Sequence, residues 1–518
     1  MPTTEPPRSS HPSVSSLPGG APLAAPPAID HVAAMRQAFR QVFPGVMVAM
    51  FLASADQTIL ASALPTIASH LGGLEDISWV VVAYLVAATV AAPLYGHLGD
   101  QFGRKRMLLV ALTVFTIASL ACAVAPTLIT LILARALQGL GGGGLMTLAQ
   151  SLIGENVPPR ERGRFQGYFA GVFALASTSG PILGAYLTEQ LSWRAIFAVN
   201  LPLGLIAFAL AMRIPYAAPT RAAKYRPDVL GVLMFCASTV GLLYVLSSAG
   251  HRLPFTGGAL YAWLAVVCAA FVVLYAWERR LEHPVIPVRL IARAEIARSD
   301  IVVMCFAAAL FSTVLYLPLY LQIGRGLGIS TSGTLLLPIT LSMVAAATTT
   351  GRLVSRTGEV VIFPIAGLSL ATLALLTLAA TISFVSTALA LLLTALVGIG
   401  LGMVMPATQI AVQHAAGRES LGAAIGSLSL SRSVGGAIGV AIIGAVVFAS
   451  LAHVGGTAAA TMQRVMQSGP EYLQQLTDAE RSAIARELDQ TFRTVFLCIA
   501  AITGIGALVA RTVPKPRF

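Results

Sequence analysis

The chain has 518 residues, 56% of them apolar and only 10% charged, and carries a formal net charge of +12 from 33 Lys and Arg against 21 Asp and Glu. Soluble domains are about 45–50% apolar and about 25% charged, so there is too little charge here to cover a water-soluble particle and too much apolar mass to hide inside one. A soluble enzyme, a disordered chain and a disulfide scaffold are all disfavoured, and an all-α polytopic membrane protein remains; the mean hydropathy of +0.81 agrees.

Residues 1–42 are rich in Pro, Ser and Ala and lack a sustained apolar run. They read as a disordered cytoplasmic tail rather than a signal peptide, which needs a basic segment followed by an apolar core. A membrane helix needs about 20 mostly apolar residues. Runs of that kind are expected at 43–65, 78–96, 107–125, 127–150, 165–187 and 195–213, then at 229–248 and 259–277. A last group falls at 301–322, 333–351, 361–381, 386–413, 421–449 and 492–510. Fourteen spans put both ends of the chain on one side. The outer loop 450–490 contains a stretch, 470–489, that mixes charges with Leu473, Leu476, Ile484 and Leu488; it predicts a short amphipathic helix on the outer surface.

Placement then decides what the basic excess means. Arg36 and Arg40 lie before the first span, and alternate loops carry Arg104-Lys105-Arg106, Arg160, Arg162 and Arg164, and later Arg279, Arg280, Arg289, Arg293 and Arg298. Arg352, Arg356 and Arg418 follow on the same side, as do Arg511, Lys515 and Arg517. Most of the 33 basic residues therefore share one face, which the positive-inside rule makes cytoplasmic, with both termini. The excess is topogenic, and nucleic-acid binding loses its support. The expected location is a cytoplasmic inner membrane.

Several patterns point away from enzyme chemistry. Cys122, Cys236, Cys268, Cys305 and Cys498 all sit in apolar runs without a C-x-x-C pair, as small hydrophobes do in a bundle. Gly139, Gly141 and Gly144 match a dinucleotide-binding fingerprint, yet they lie in an apolar span instead of following a soluble strand. They read as close-packing glycines. The chain holds no G-x-x-x-x-G-K-[ST] phosphate loop. No catalytic residue, cofactor or metal is expected, and energy should come from an ion gradient.

An internal repeat is visible. Gly96-His97-Leu98-Gly99-Asp100-Gln101-Phe102-Gly103-Arg104-Lys105-Arg106 follows the second span, and Gly351-Arg352-Leu353-Val354-Ser355-Arg356 follows the tenth with Gly, Leu and a basic residue in related slots. Spans 1–6 and 9–14 then form equivalent halves, at 43–214 and 301–511, separated by 215–300 with two inserted spans and followed by a tail at 512–518. Paired six-span halves are the architecture of alternating-access transporters.

At these residues the chain resembles the major facilitator superfamily, in its fourteen-span drug:proton antiporter branch. The loop Gly96 to Arg106 matches the superfamily signature. Arg135-Ala136-Leu137-Gln138-Gly139 resembles the fourth-span motif, and Gly180-Pro181-Ile182-Leu183-Gly184 the fifth-span antiporter motif. Asp56-Gln57-Thr58-Ile59 with Ala63-Leu64-Pro65 resembles the first-span motif, although Ala61 stands where the branch usually has Asn. Ser192-Trp193-Arg194-Ala195-Ile196-Phe197 with Asn200 and Pro202 fits the approach to span six. The resemblance implies multidrug efflux by proton exchange. It also implies a conformational latch at Gly96, Asp100, Gly103, Arg104, Lys105 and Arg106, and an outer seal from the Gly180, Pro181 and Gly184 kink.

Charges inside a bilayer are costly and usually functional. Asp56 lies ~20 Å along an outward-running span and Arg135 ~12 Å along an inward-running one, at about 1.5 Å per residue. In a core of ~30 Å both sit about 10–12 Å below the outer surface, so they can pair. A permanent lock between spans one and four is one reading. The other makes Asp56 a proton carrier whose proton is exchanged as Arg135 moves, with a cationic substrate competing for the carboxylate. Other candidate cavity residues are Gln57, Tyr84, Gln138, Tyr316, Gln409 and Arg432; the side to which Arg432 turns stays open at this point. The expected function is export of amphipathic, drug-like compounds against protons. The alternatives are a proton-coupled importer or exporter of a metabolite or siderophore, and a non-transporting receptor. Small molecules, protons and the lipid bilayer are the expected partners; a periplasmic adaptor is left open.

Overall fold

In the computed structural model the residues described are 38–71, 77, 79–158, 161–215, 228–248, 258–281, 288–323, 336–383, 386–454 and 478–514. A π-helical turn at Ala38–Val42 runs into α1 (Phe43–Leu71). Then come α2 (Trp79–Phe102), α3 (Arg104–Ala123), α4 (Leu128–Asn156), α5 (Arg162–Gln190) and α6 (Ala195–Met212). The pair α7 (Val229–Ser248) and α8 (Gly258–Glu278) follows. The remaining helices are α9 (Ala294–Ile323), α10 (Leu337–Thr357), α11 (Ile362–Thr381), α12 (Ala388–Ala416), α13 (Leu421–Val454) and α14 (Asp478–Thr512).

Helices thus stand at all fourteen predicted places, and among the described residues 13 are long and apolar enough to cross a membrane. The exception is α10. It carries Ser342, Thr348, Thr349, Thr350, Arg352 and Ser355, because it packs on α5 rather than facing lipid all round. Local chemistry sets the breaks. Gly103, at φ 94°, separates α2 from α3 in a conformation that other residues adopt at a cost. Thr127 caps α4 in a reciprocal box with Thr130, and Gly358 ends α10 in the left-handed region.

The repeat is present in the packing. In the first half α2 packs on α4, α3 on α4 and α6, and α1 on α5 and α6. Eight elements later α10 packs on α12, α11 on α12 and α14, and α9 on α13 and α14. The inserted α7 and α8 form a pair whose first member leans on α2 and α13, outside the seam between halves.

The halves meet along α2 with α13 and α5 with α10. A Cβ on Gly96 would fall 2.1 Å from the carbonyl oxygen of Gly422, and one on Gly163 2.1 Å from that of Gly351, so the backbones are nearly in contact at both crossings. Gly96 and Gly422 lie at the end of α2 and the start of α13, Gly163 and Gly351 at the start of α5 and near the end of α10. Both crossings therefore belong to the face that bears the Arg-rich loops, termed the basic face below, and the seam is shut there.

Two expectations need correction. Residues 478–489 do not form a separate helix on the outer surface; they are the first turns of a continuous α14. Leu488 is fully buried with Phe492 and Tyr320 in the core of the second half. Leu473 and Leu476 lie outside the described residues. The ninth span begins at Ala294 rather than 301. This brings Arg298 and Asp300 into the helix, and Asp300 is buried.

Candidate functional site

The apolar interiors of both halves isolate a few polar clusters. The first lies within the first half. Asp56 on α1 and Arg135 on α4 are each 1% exposed, and Nη1 of Arg135 lies 2.6 Å from Oδ2 of Asp56. The other carboxylate oxygen accepts from Nε2 of Gln138 at 2.8 Å and from Nδ2 of Asn200, on α6, at 2.7 Å. Arg135 also donates to Oε1 of Gln138 at 2.7 Å and to the carbonyl of Val80 at 3.2 Å. Its guanidinium carbon sits 4.3 Å above the centre of the Tyr84 ring and 5.8 Å from that of Phe197. Gln138 is fixed in turn by its bond to Oγ of Ser119 at 2.8 Å.

Five helices thus build one cluster around a carboxylate that accepts three hydrogen bonds from within the half. Buried charges persist only when paired and hydrogen-bonded, and this network meets that requirement. Sequence spacing placed Asp56 and Arg135 at one depth, and the structure joins them. It also places Gln138 and Tyr84 in this network instead of on an open cavity wall. Gln57, one residue along α1, is exposed.

The glycines of the fifth-span motif pack α5 against α1 beside this cluster. A Cβ on Gly180 would fall 2.0 Å from Oγ1 of Thr58, and one on Gly184 2.3 Å from the carbonyl oxygen of Ile59. Thr58 Oγ1 donates to the carbonyl of Ala176 at 3.0 Å. Hence α5 lies hard against α1 one turn from Asp56, while Pro181 points outward and is exposed. The contacts of these two glycines are inside one half, not across the seam.

A second cluster sits on the basic face. Asp100, at the end of α2, takes Nη2 of Arg104 at 2.8 Å and Nε at 3.2 Å. Its two oxygens also accept the backbone N–H groups of Gly422 and Ala423, each at 3.0 Å, at the start of α13. One carboxylate from the first half thus caps a helix of the second, where the unsatisfied N–H groups and helix dipole favour negative charge. Arg104 reaches on to Oε2 of Glu155 at 3.1 Å and the carbonyl of Arg418 at 2.7 Å. Arg418 returns a bond to the carbonyl of Glu155 at 3.1 Å. Lys105 instead ties α3 to the end of α6, through the carbonyls of Met212 and Ile214, and Arg106 is exposed. Gly96 and Gly103 allow the close crossing and the turn described above.

The remaining candidates are dispersed. Gln409 donates to Oε1 of Gln150 across the seam at 2.6 Å. Tyr316 Oη reaches the carbonyl of Val440 at 3.4 Å within the second half. Arg432 is half-buried on α13. Among the described residues no group of His, Cys, Asp and Glu is arranged to hold a metal. Sequence reasoning noted Asn200 only as part of the approach to span six, without a role, and missed Ser119, Glu155 and the N–H groups of Gly422 and Ala423. Only Asn200 carried a signal, as a polar residue near the start of an apolar span.

Known proteins share the sequence pattern and the fold of this chain. The Major Facilitator Superfamily profile matches residues 46–440. The chain is 32% identical over 511 residues to an uncharacterised MFS-type transporter of Mycobacterium tuberculosis, covering 95% of this chain and 73% of that protein. It is 30% identical over 404 residues to the Multidrug transporter protein MdtP of Bacillus subtilis, covering 78% of this chain and 74% of the other. The solved structure of the proton:xylose symporter XylE bound to 6-bromo-6-deoxy-D-glucose superposes with a TM-score of 0.61 at 12% identity, over 93% of this chain and 97% of that one. This last likeness is one of fold.

Proposed function

The chain belongs to the Major Facilitator Superfamily, and we propose that it is a proton-coupled antiporter that exports amphipathic, drug-like compounds by alternating access. The observation that carries this reading is the sealed Asp56–Arg135 pair, a carboxylate held among donors inside one rocking half. Protonation of Asp56 would free Arg135, and movement of Arg135 would free Asp56 to take a proton. The pair is 1% exposed in this basic-face-closed state, so a substrate reaches it only indirectly, through motion of α1 and α4. Direct competition of a cation for the carboxylate is therefore replaced by coupling through the helices.

The halves at 43–214 and 301–511 would be the rocking bodies, with Asp100 and Arg104 as the latch between them. The basic loops support a cytoplasmic location for both termini and for the latched face. The multidrug name of a relative at 30% identity supports drug efflux over uptake of one nutrient. Inside-out membrane vesicles test this. With an imposed acid interior, ethidium should accumulate inside and the pH gradient should decrease as it does; accumulation only with the gradient reversed would indicate an importer and overturn the proposal.

A further inference from the structure

Arg432 is a charged side chain inside a span that neither cluster absorbs. It lies 11 residues into α13, or ~16 Å along the helix at about 1.5 Å per residue, which is near the middle of a hydrocarbon core of ~30 Å. From there an arginine cannot extend to either interface, so snorkelling does not account for it.

The direction of the side chain follows from its neighbours on the helix. Gly422 and Gly426 face α2, against Gly96 and Pro93. Gly435 and Gly439 face α9, against Met304 and Ala308. Leu430 packs against the apolar cluster of Val90, Phe235 and Leu274, which joins α2 to the inserted α7 and α8. Two residues further along an α-helix is a rotation of about 200°, so Arg432 is turned away from α7. It points between the strips that face α2 and α9, on the side where α13 also meets α4 of the first half.

Among the described residues no ion pair reaches Arg432; those present join Arg104 to Asp100 and Glu155 and Arg135 to Asp56. Asp300, a buried carboxylate on α9, accepts from Oγ of Ser427 at 3.5 Å. One turn beyond Arg432, the ring of Phe311 lies against Gly436 with 47% of its surface exposed. A cation and an aromatic face thus stand side by side on the same stripe.

We propose that Arg432 and Phe311 form the substrate subsite for an organic anion. Compounds with a carboxylate or sulfonate seat that group on the guanidinium and lay their apolar body on the Phe311 ring. The planar guanidinium suits bidentate recognition of such groups, and charged hydrogen bonds strengthen where water is scarce. This rests on the transport reading above and narrows it: the amphipathic substrates include acids, and the cation that binds them is on the second half.

The test uses a matched pair of probes, 1-pyrenebutyrate and 1-pyrenebutanol, titrated against the full chain in lipid nanodiscs. Wild-type protein should prefer pyrenebutyrate about tenfold or more. Arg432→Gln should bring that ratio near unity, and Arg432→Lys should keep most of it, which excludes simple misfolding at the position. A preference that survives Arg432→Gln, or no preference in the wild type, overturns the inference. The ethidium exchange described above is scored separately. Intact exchange without an anion preference sinks only the subsite, and an anion preference without any pH-driven flux sinks only the transport reading.

Discussion

Asp56→Asn should abolish pH-driven transport and also lower stability, by about 3–5 kcal/mol, since it strands a buried Arg135 without its countercharge. The pair is 1% exposed on each side, so solvent does little to soften that cost. The informative comparison is the double variant Asp56→Asn with Arg135→Gln. It removes both charges and keeps groups able to hydrogen-bond to Gln138 and Asn200. Replacing a buried pair by neutral residues is often close to neutral for stability, so its thermal midpoint should recover most of the loss. Transport driven by a pH gradient should not recover. If the double variant exchanges protons for ethidium at the wild-type rate, the pair is a structural lock between α1 and α4 and the proton-carrier role is wrong.

The second large effect is conformational. Asp100→Asn removes the ion pair to Arg104 and weakens the cap on the first N–H groups of α13. Helix caps are worth about 0.5–2 kcal/mol and hydrogen bonds to charged groups about 1.5–3. A loss near 1.4 kcal/mol already shifts the equilibrium between open and closed seams by about tenfold. Spin labels at Arg106 and Arg356, both exposed and on opposite halves, should report this in a chain whose five native cysteines are replaced. The longer-distance population should grow by roughly that factor in Asp100→Asn. An unchanged distance distribution would mean that the glycine crossings alone hold the face shut.

How far the sequence could be read differs by physical scale. Apolar runs of about 20 residues fix the helices because the bilayer leaves the backbone no other way to satisfy its hydrogen bonds. Asp56 and Arg135 were legible for the same reason: charge is so scarce in the spans that each instance is conspicuous. Asp300 was not. The stretch Ala294-Glu295-Ile296-Ala297-Arg298-Ser299-Asp300 looks like loop by composition, yet it is helical and its last residue is buried against Ser427. The trans-cap on α13 was invisible as well, because its donors are backbone N–H groups of Gly422 and Ala423 with no signature in residue type. Arg432 shows a third case. Its depth could be counted, but its direction came only from which neighbours flank Gly422, Leu430 and Gly435.

These limits bear on the mechanism. Asp56 and Arg135 are enclosed, while the half-buried Arg432 had no assigned direction until its neighbours were in place. A proton site inside the first half and an anion site on the second, joined by rocking, separates the two ligands in space. Their coupling would then run through the relative motion of the halves rather than through occupancy of a single group.

The central claim is that Asp56 carries the exchanged proton. Its most direct test is proton release on substrate binding, followed with a pH-sensitive dye in weakly buffered solution with purified full-length protein and ethidium. Wild-type protein should release protons as ethidium saturates it, and the double variant of Asp56→Asn with Arg135→Gln should bind ethidium without releasing any. Equal release from both proteins would contradict the account.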